Sequence, residues 1–198
     1  METMTWVVLG IAVLLAAASY LSYSAARLDR LHAQVEGALS ALDAHLVRRA
    51  EATLELANSG ALDPASALLL AGAASESLER TTARLREDDL LDGQHFGGRE
   101  SVESELTQAL TLALTPPVVA SILAQDGLAS DALERVEAAG RRVQLARRFL
   151  NNSVKNVQRV RGKVVVRLFR LAGHADLPQT VEFDDEIPAV RSAPGATA

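Results

Sequence analysis

The stretch that decides the fold is TWVVLGIAVLLAAASYLSYSAARLDRLHAQVEGALSALDAHL, residues 5–46. Its first half, residues 5–26, holds 22 consecutive residues without a charged side chain, and a bilayer-spanning helix needs about 20. Trp6 lies at one end of this run and Tyr20 and Tyr23 at the other, which are the positions that aromatic side chains favour at membrane interfaces. The sequence therefore predicts a single-pass transmembrane helix over 5–26.

A cleaved signal peptide is the alternative for this run, since the three alanines 16–18 resemble a cleavage site. Two features oppose it: the residues before the run carry Glu2 and no Lys or Arg, and the apolar run continues past the alanines. Arg27 and Arg30 follow the run. The positive-inside rule then predicts an N-terminus outside the cell and a main domain in the cytoplasm.

The second half of the stretch predicts that the same helix continues out of the membrane. Its apolar residues recur every three or four positions, which makes one stripe along a helix: Leu28, Leu31, Val35, Leu39, Leu42 and Leu46. We expect this helix to end near Ala57, with Gly60 in a left-handed turn. A second helix then begins at Pro64 behind an Asp63 N-cap and reaches about Asp89.

Two further helices are predicted beyond a glycine-rich turn. The third covers about 99–115 and ends at a Pro-Pro pair, followed by a short helical turn over 118–125. The fourth begins at Ser130 or Asp131 and runs to about Arg161. Its apolar positions include Leu133, Val136, Val143, Leu145, Phe149, Leu150, Val154 and Val157.

These elements predict an all-α protein, an antiparallel up-and-down four-helix bundle with its first helix extended into the membrane. A short N-terminus over 1–4 precedes the transmembrane helix, and the bundle domain occupies 27–172. Within it, 163–172 is amphipathic and favours helix over strand. Proline and small residues predict an extended and then disordered tail over 173–198.

The formal net charge of −5 conceals two oppositely charged regions. Residues 141–170 hold ten Arg or Lys and no acid, whereas 76–105 hold nine acids and four basic residues. This separation predicts two surfaces with different partners. Nucleic acid is disfavoured, because aromatic residues are only 4% of the chain and no aromatic RNA-binding motif is present. The chain has no cysteine, which excludes disulfides and Cys-zinc sites.

The basic region is predicted to contact the membrane surface. The soluble part of the first helix and the fourth helix have similar lengths, so in an up-and-down bundle the fourth helix ends level with Arg27 and Arg30. Anionic lipid headgroups attract such cations, and the alternative is pairing with an acidic surface around Glu76, Glu87 and Glu103. The residues predicted to meet the headgroups are Arg159, Arg161, Lys163, Arg167 and Arg170, with Val164, Val165, Leu168 and Phe169 at the boundary.

The fourth helix contains ARRFLNNSVKN, residues 146–156. This stretch resembles the signature of the LemA family, in which Ala-Arg precedes Phe-Tyr-Asn, a small residue and Val. Leu150 departs from the pattern, which has an aromatic residue there. The matching residues are Ala146, Arg147, Phe149, Asn151 and Val154.

Three other stretches carry the resemblance: 168–188 looks like the ending of a bacterial subgroup, while 46–57 and 103–110 match more weakly. The resemblance implies a membrane-anchored, largely four-helix antiparallel bundle and no established activity. Asparagine is a mediocre helix former, so we expect Asn151 and Asn152 to bond to a neighbouring helix; the alternative is that both face solvent. We also expect four apolar side chains to face the core: Leu42, Leu46, Phe149 and Val154.

No catalytic, cofactor or metal site is visible in the sequence. The four histidines lack partners at ligand spacing and are interpreted as lone surface residues: His32, His45, His95 and His174. The glycines of 91–98 follow no strand and precede no Gly-Lys-Ser/Thr, which indicates a turn. A Nudix hydrolase site is rejected, because 97–106 has Arg99, Glu100 and Glu103 without the Glu-Glu-x-Gly that would complete it.

The sequence thus favours a membrane-anchored interaction or scaffold protein at the bacterial inner membrane. Its expected partners are the lipid bilayer and an unidentified protein, with a second copy of the chain as a further candidate. The alternative is an enzyme or small-ligand sensor whose site is not visible as a motif. A pocket of convergent polar residues would favour the alternative, and a solid apolar core the scaffold.

Overall fold

A computed structural model describes residues 2–86, 98–125, 127–162 and 177–186. Within these ranges the chain forms five helices and no strand, so the all-α prediction is confirmed. The helices are α1 (Glu2–Ala57), α2 (Pro64–Arg86), α3 (Arg99–Ala113), α4 (Pro116–Leu123) and α5 (Leu128–Arg161).

Helix α1 is one continuous element of 56 residues with two different surroundings. Its N-terminal apolar window has a mean hydropathy of 2.1 and is 0% buried inside the protein. That half has the length and composition of a membrane span or of a signal sequence. Further along, Leu42 and Leu46 are both 0% exposed, which confirms the predicted stripe.

The turn between α1 and α2 has the predicted left-handed glycine and N-cap. Gly60 has φ of 76°, a left-handed conformation that favours glycine. The Asp63 carboxylate accepts hydrogen bonds from the backbone N–H of Ala65 at 3.0 Å and of Ser66 at 3.1 Å. These bonds, with one from the Ser66 side chain as the largest cause, lower the pKa of Asp63. The N-cap and the first-position Pro64 are therefore confirmed.

The Pro-Pro pair begins a helix as well as ending one. Thr115 is extended, with φ −68° and ψ 155°, because the residue before a proline avoids the helical region. Helix α3 therefore ends at Ala113, two residues before the predicted end, and α4 starts at Pro116 after a bend of 74°. The predicted extra turn is a genuine eight-residue helix, which buries Val119 and Ile122.

The core lies along α1 and α5 and forms three apolar clusters. One joins residues from all five helices, including Leu56, Leu70, Leu110, Ile122 and Leu133. The second lies between α1 and α5, and also contains Val181 and Phe183 from the extended segment 177–186. The third is small and packs Leu28 against Val160.

Helix α5 begins at Leu128, behind Gly127, rather than at Ser130 or Asp131. One predicted core residue on it is wrong: Phe149 is 52% exposed. The buried face passes through Val143, Leu150 and Val157, at seven-residue intervals, and Phe149 is rotated from Leu150 by about 100° at 3.6 residues per turn. Val154 is 1% exposed, as predicted.

Several predictions lie outside the described residues. They are the glycine-rich turn before Gly98, the end of the second helix beyond Arg86, the amphipathic segment 163–172 and the tail beyond Glu186. Lys163, Arg167 and Arg170 of the predicted membrane contact are among them, as are Val164, Val165, Leu168, Phe169, Glu87, His95 and His174.

Candidate functional site

Residues 177–186 are a non-helical segment that lies between α3 and α5, and we call them the docked segment. Asn151 is its central contact on α5. The Asn151 side-chain amide donates to the carbonyl oxygen of Val181 at 3.0 Å, and its oxygen accepts from the Val181 N–H at 2.9 Å. Asn151 therefore pairs with one residue's backbone as a neighbouring strand would.

This contact corrects the prediction for the two asparagines. Asn151 is 9% exposed, but its partner is the docked segment rather than another helix. Asn152 is exposed, as the solvent-facing alternative predicted for it. Asn151 within α5 thus bonds to the carbonyl oxygen and the N–H of Val181, which lies 30 residues further along the chain.

Arg147, one turn before Asn151, binds the acidic end of the docked segment. Its Nε donates to Asp185 Oδ2 at 2.7 Å and its Nη2 to Oδ1 at 3.0 Å, which is the bidentate geometry of strong Arg–carboxylate pairs. The guanidinium also lies 5.5 Å from the centroid of the Phe183 ring, a cation–π distance. The hydrogen bonds to Asp185 raise the pKa of Arg147, so this cation stays charged.

The docked segment is fully extended along α5. Gln158 Nε2 donates to the Pro178 carbonyl at 2.8 Å and Gln144 Nε2 to the Asp185 carbonyl at 2.6 Å. Between these glutamines α5 rises about 21 Å, and the seven steps from Pro178 to Asp185 span about 23 Å in extended backbone. Val181, Phe183 and Asp185 are buried and alternate with exposed Glu182, Asp184 and Glu186.

Helix α3 supplies the other wall. Glu100 Oε1 accepts from the Glu182 N–H at 2.7 Å, and Ser104 Oγ accepts from the Asp184 N–H at 3.1 Å. Thr107 Oγ1 donates to the Asp184 carbonyl at 2.7 Å. The backbone of the docked segment is therefore hydrogen-bonded from both sides, and we call the space it fills the α3–α5 groove.

A buried charged network lies beneath this groove. Arg49 and Glu103 are both 0% exposed, and Arg49 Nη2 lies 2.7 Å from Glu103 Oε2. Arg49 Nη1 donates to Thr107 Oγ1 at 3.0 Å, and Ser77 Oγ donates to Glu103 Oε1 at 2.8 Å. Arg49 Nε has no hydrogen-bond partner among the described residues.

Arg99 extends this network toward the start of α3. Its Nε lies 3.4 Å from Glu103 Oε1 and its Nη1 lies 3.0 Å from Asp43 Oδ1. Its Nη2 donates to Thr81 Oγ1 at 2.7 Å. We call Arg49, Ser77, Arg99, Glu103 and Thr107 the Glu103 network. Because its members come from α1, α2 and α3, it fixes these three helices to one another.

The end of α5 lies beside the start of the soluble part of α1. A cavity of about 250 Å³ between them is lined by Arg27, Leu31, Asn156, Arg159 and Val160. Arg27, Arg30 and Arg159 are exposed, and Arg161 is half-buried. The sequence offered Glu103 as an alternative partner for this basic region. Glu103 instead pairs with Arg49 and Arg99 inside the bundle.

An open groove of about 500 Å³ also lies between α1 and α5, at the end of the bundle away from the apolar half of α1. It is lined by charged side chains and alanines, and Arg135 Nε pairs with Glu55 Oε2 across it at 2.7 Å.

His32 and His45 are half-buried rather than on the surface as predicted. Within the described ranges no group of three His, Asp or Glu side chains converges as a metal site would require.

The structure brings four of the five signature residues to the docked segment or the core behind it. Arg147 and Asn151 bind the segment, and Val154 shares an apolar cluster with Val181 and Phe183. Ala146 packs at the edge of that cluster, whereas Phe149 faces away. Sequence reasoning missed Arg49 and Glu103, although both continue apolar stripes at three- and four-residue spacing.

Comparison with protein-family models, with curated proteins and with solved structures finds no match to this chain.

Proposed function

We propose that this chain is a membrane-anchored, LemA-like helical-bundle protein that acts as an interaction or scaffold protein at the bacterial inner membrane. The observation that carries the proposal is the continuity of α1, whose exposed apolar half passes without a break into the half that packs in the core. A helix with both halves would hold the bundle at a fixed position against the bilayer, because no linker separates the two.

Contacts between the described helices support an antiparallel four-helix arrangement of α1, α2, α3 and α5. Gln34 and Ser153 are hydrogen-bonded at 3.4 Å, while Glu55 and Arg135 are paired at 2.7 Å. Rising numbers on α1 therefore meet falling numbers on α5. In this arrangement α4 is a short addition at the end of the bundle away from the anchor.

The four stretches that resemble LemA sequences contact one another within the bundle. The stretches 46–57 and 103–110 meet through the Arg49–Glu103 pair, and the stretches 146–156 and 168–188 meet through Asn151 and Val181. Each of the four stretches thus has a partner among the other three. A set of residues that hold one fold together is what a family signature without an active site would contain.

The topology is tested by cysteine labelling, because the natural chain has no cysteine. In the proposed orientation Met4→Cys lies outside the cell and Ser75→Cys, on an exposed position of α2, lies inside. A membrane-impermeant thiol reagent added to intact cells should label the first variant. It should label the second only after the membrane is disrupted.

Two outcomes of the labelling experiment would contradict the proposal. Labelling of Ser75→Cys in intact cells would reverse the orientation. Release of the bundle from alkali-washed membranes, with loss of the Met4→Cys label from the mature chain, would instead identify residues 5–26 as a signal peptide. Retention in the membrane with labelled Met4→Cys supports the anchor.

We further propose that the basic end of α5 contacts anionic lipid headgroups. Arg159 shares a cavity with Arg27, the first charged residue after the apolar run, so an anchored α1 would bring Arg159 and Arg161 to the bilayer surface. Lys163, Arg167 and Arg170 follow in sequence and would add to the same surface. Each cation near an anionic leaflet contributes about 1 kcal/mol.

The lipid contact is tested with the full-length protein in vesicles that contain a photoactivatable anionic lipid. Arg159→Gln with Arg161→Gln should reduce headgroup labelling at low salt, and high salt should reduce labelling of the unmodified protein. The matched control is Arg135→Gln with Arg141→Gln in the first half of the same helix, which should leave headgroup labelling unchanged. Equal labelling of both double variants would contradict the lipid contact.

A further inference from the structure

The α3–α5 groove recognises its occupant mainly through the occupant's backbone. Side chains of the groove bond to the N–H and carbonyl of Val181, to the N–H and carbonyl of Asp184, and to the N–H of Glu182. Every one of these groove atoms belongs to a helix. A groove of this kind binds an extended peptide by the pattern of β-strand addition, with side chains used for selection.

Selection in the groove comes from two apolar positions and one carboxylate. Val181 and Phe183 are 4% and 8% exposed, in contact with apolar residues of α1 and α5. The Asp185 carboxylate is bound bidentately by Arg147. The groove therefore fits an extended peptide with apolar residues at alternate positions followed by an aspartate two positions later.

We propose that the α3–α5 groove of one copy also binds residues 177–186 of a second copy, so that neighbouring chains exchange their docked segments. The exchanged segment has the same sequence as the resident one and makes the same contacts. Reciprocal exchange therefore refills both grooves and creates no unsatisfied backbone group, whereas an unrelated peptide would leave the displaced resident segment without its partners. Identity of segment and groove across copies favours a second copy over a different protein.

The length of the chain before the docked segment permits exchange. Gln158 contacts Pro178, so the end of α5 and the start of the docked segment are neighbours. The residues between them, 163–176, number 14, and with 163–172 helical as predicted they would span about 28 Å. That length exceeds what the contact within one copy requires.

Membrane anchoring would favour exchange further, and this step rests on the proposed function. Two copies anchored through α1 in one bilayer have their grooves at the same height and in the same orientation. Each docked segment is then level with the groove of its neighbour. Confinement to the plane of the membrane also raises the effective concentration of one copy around another.

The experiment uses full-length chains that each carry one engineered cysteine. Ser104 Oγ lies 3.1 Å from the Asp184 backbone nitrogen, so these two positions are adjacent across the groove. Chains with Ser104→Cys and chains with Asp184→Cys are co-expressed with different tags and oxidised in native membranes. We expect a disulfide-linked heterodimer between them, and its absence, when the cis control below is positive, overturns the proposal.

A cis control establishes that the cysteine pair can join. One chain with both Ser104→Cys and Asp184→Cys should form an internal disulfide, detected as a shift in mobility on reduction. A second pair, Glu100→Cys with Glu182→Cys, repeats the experiment at the next groove contact, where Glu100 Oε1 lies 2.7 Å from the Glu182 nitrogen. Internal disulfides at either pair without a heterodimer mean that docking occurs only in cis.

A position control separates groove binding from random collision. Chains with Ser101→Cys, on the exposed side of α3, should form no heterodimer with Asp184→Cys chains. A heterodimer at Ser101→Cys as abundant as the one at Ser104→Cys would overturn the proposal.

The anchoring step is judged separately by repeating the oxidation after detergent extraction. If the heterodimer forms in membranes and is lost on dilution in detergent, exchange depends on confinement. If it persists in dilute detergent, exchange occurs without the membrane and the proposed anchoring is not needed for it. Release of the bundle with loss of the Met4→Cys label would contradict the anchor, and that result is scored independently of the heterodimer.

Discussion

The Glu103 network and the docked segment are two polar regions that share Thr107 but differ in surroundings. Thr107 Oγ1 accepts from Arg49 Nη1 at 3.0 Å on one side and donates to the Asp184 carbonyl at 2.7 Å on the other. Arg49 and Glu103 are completely buried, whereas Glu182 in the docked segment keeps 71% of its side chain exposed. The first region joins three helices, and the second joins one extended segment to two.

This difference determines what each region can do. Breaking a fully buried ion pair leaves a charge without water or a partner, so the Glu103 network opens only when the bundle unfolds. The docked segment has buried groups at Val181 and Asp185 and exposed groups at Glu182 and Asp184, so water can replace only part of its hydrogen bonds. A charged residue of the core, Glu103, and a charged residue that binds the docked segment, Glu100, thus lie within one turn of α3.

The largest expected effect is from Glu103→Ala. The change leaves the Arg49 guanidinium in the core without its carboxylate partner, so the free energy of unfolding should fall by about 3–5 kcal/mol. Urea unfolding of the full-length protein in detergent micelles, followed by circular dichroism, measures it. The matched control is Glu105→Ala, an exposed position of α3, which should stay within about 0.5 kcal/mol.

A double variant tests whether the loss comes from the unpaired charge. Arg49→Met with Glu103→Leu replaces the pair by apolar side chains of similar size, and such replacements are often neutral. It should therefore recover most of the stability that Glu103→Ala loses. A double variant as unstable as the single one would mean that the loss comes from the other partners of the pair, Arg99, Ser77 and Thr107.

A substitution at the docked segment should lower stability less than Glu103→Ala does, and its effect should be local. Asn151→Ala removes the hydrogen bonds to the Val181 backbone and should cost about 1–3 kcal/mol. Hydrogen exchange at the Val181 amide should accelerate, while exchange in the middle of α1 should not. Asn152→Ala is the matched control because Asn152 is exposed. Equal acceleration in α1 would show that the segment and the core open together, and the contrast between the regions would be wrong.

A smaller effect is expected from Phe149→Ala, which sharpens the assignment within the LemA-like stretch. The ring is 52% exposed, so its loss should cost less than about 1 kcal/mol. Leu150→Ala, one residue on and 1% exposed, should cost about 2–5 kcal/mol. Thermal unfolding of the two variants side by side tests the phase of α5, and the reverse order would place Phe149 in the core.

The sequence pattern predicted elements whose cause is local. The stripe of α1, the Asp63 cap and the left-handed Gly60 follow from residues within a few positions of one another. The phase of α5 was ambiguous because apolar residues occupy two of its faces. Counting them did not distinguish Phe149 from Leu150, and only packing against α1 decides between the two.

Both polar regions depend on contacts that are distant in sequence. Arg49 continues the stripe of Leu42 and Leu46, so a charge at a core position was visible, but its partner Glu103 lies 54 residues away. The docked segment also had a local signal. Val181 and Phe183 alternate with acids, which is the period of an extended, half-buried chain. That pattern predicts extension but does not identify Asn151 as the residue that binds it.

The smallest expected effect concerns His45, which lies on α1 outside both regions. Burial, followed by the charges of Arg48 and Arg142, lowers the pKa of His45 below its ordinary 6.5, and its Nδ1 has no hydrogen-bond partner among the described residues. Above pH 6.5 the imidazole is neutral in the folded and the unfolded chain and costs nothing. As the pH falls below 6.5 the unfolded chain takes up a proton first, so stability should decline toward the lowered pKa.

His45→Gln removes this titration and should flatten the decline between pH 6.5 and 5 without changing stability at pH 8. Unfolding midpoints of the two proteins across that range provide the measurement. Neither polar region contains a histidine. The Glu103 network should therefore remain more stable than the docked segment across this pH range. If weak acid lowers the protection of the Val181 amide, relative to the intrinsic exchange rate at that pH, as much in His45→Gln as in the unmodified protein, the docked segment has a pH response of its own. Release of the segment would then not follow from a general weakening of the packing between α1 and α5.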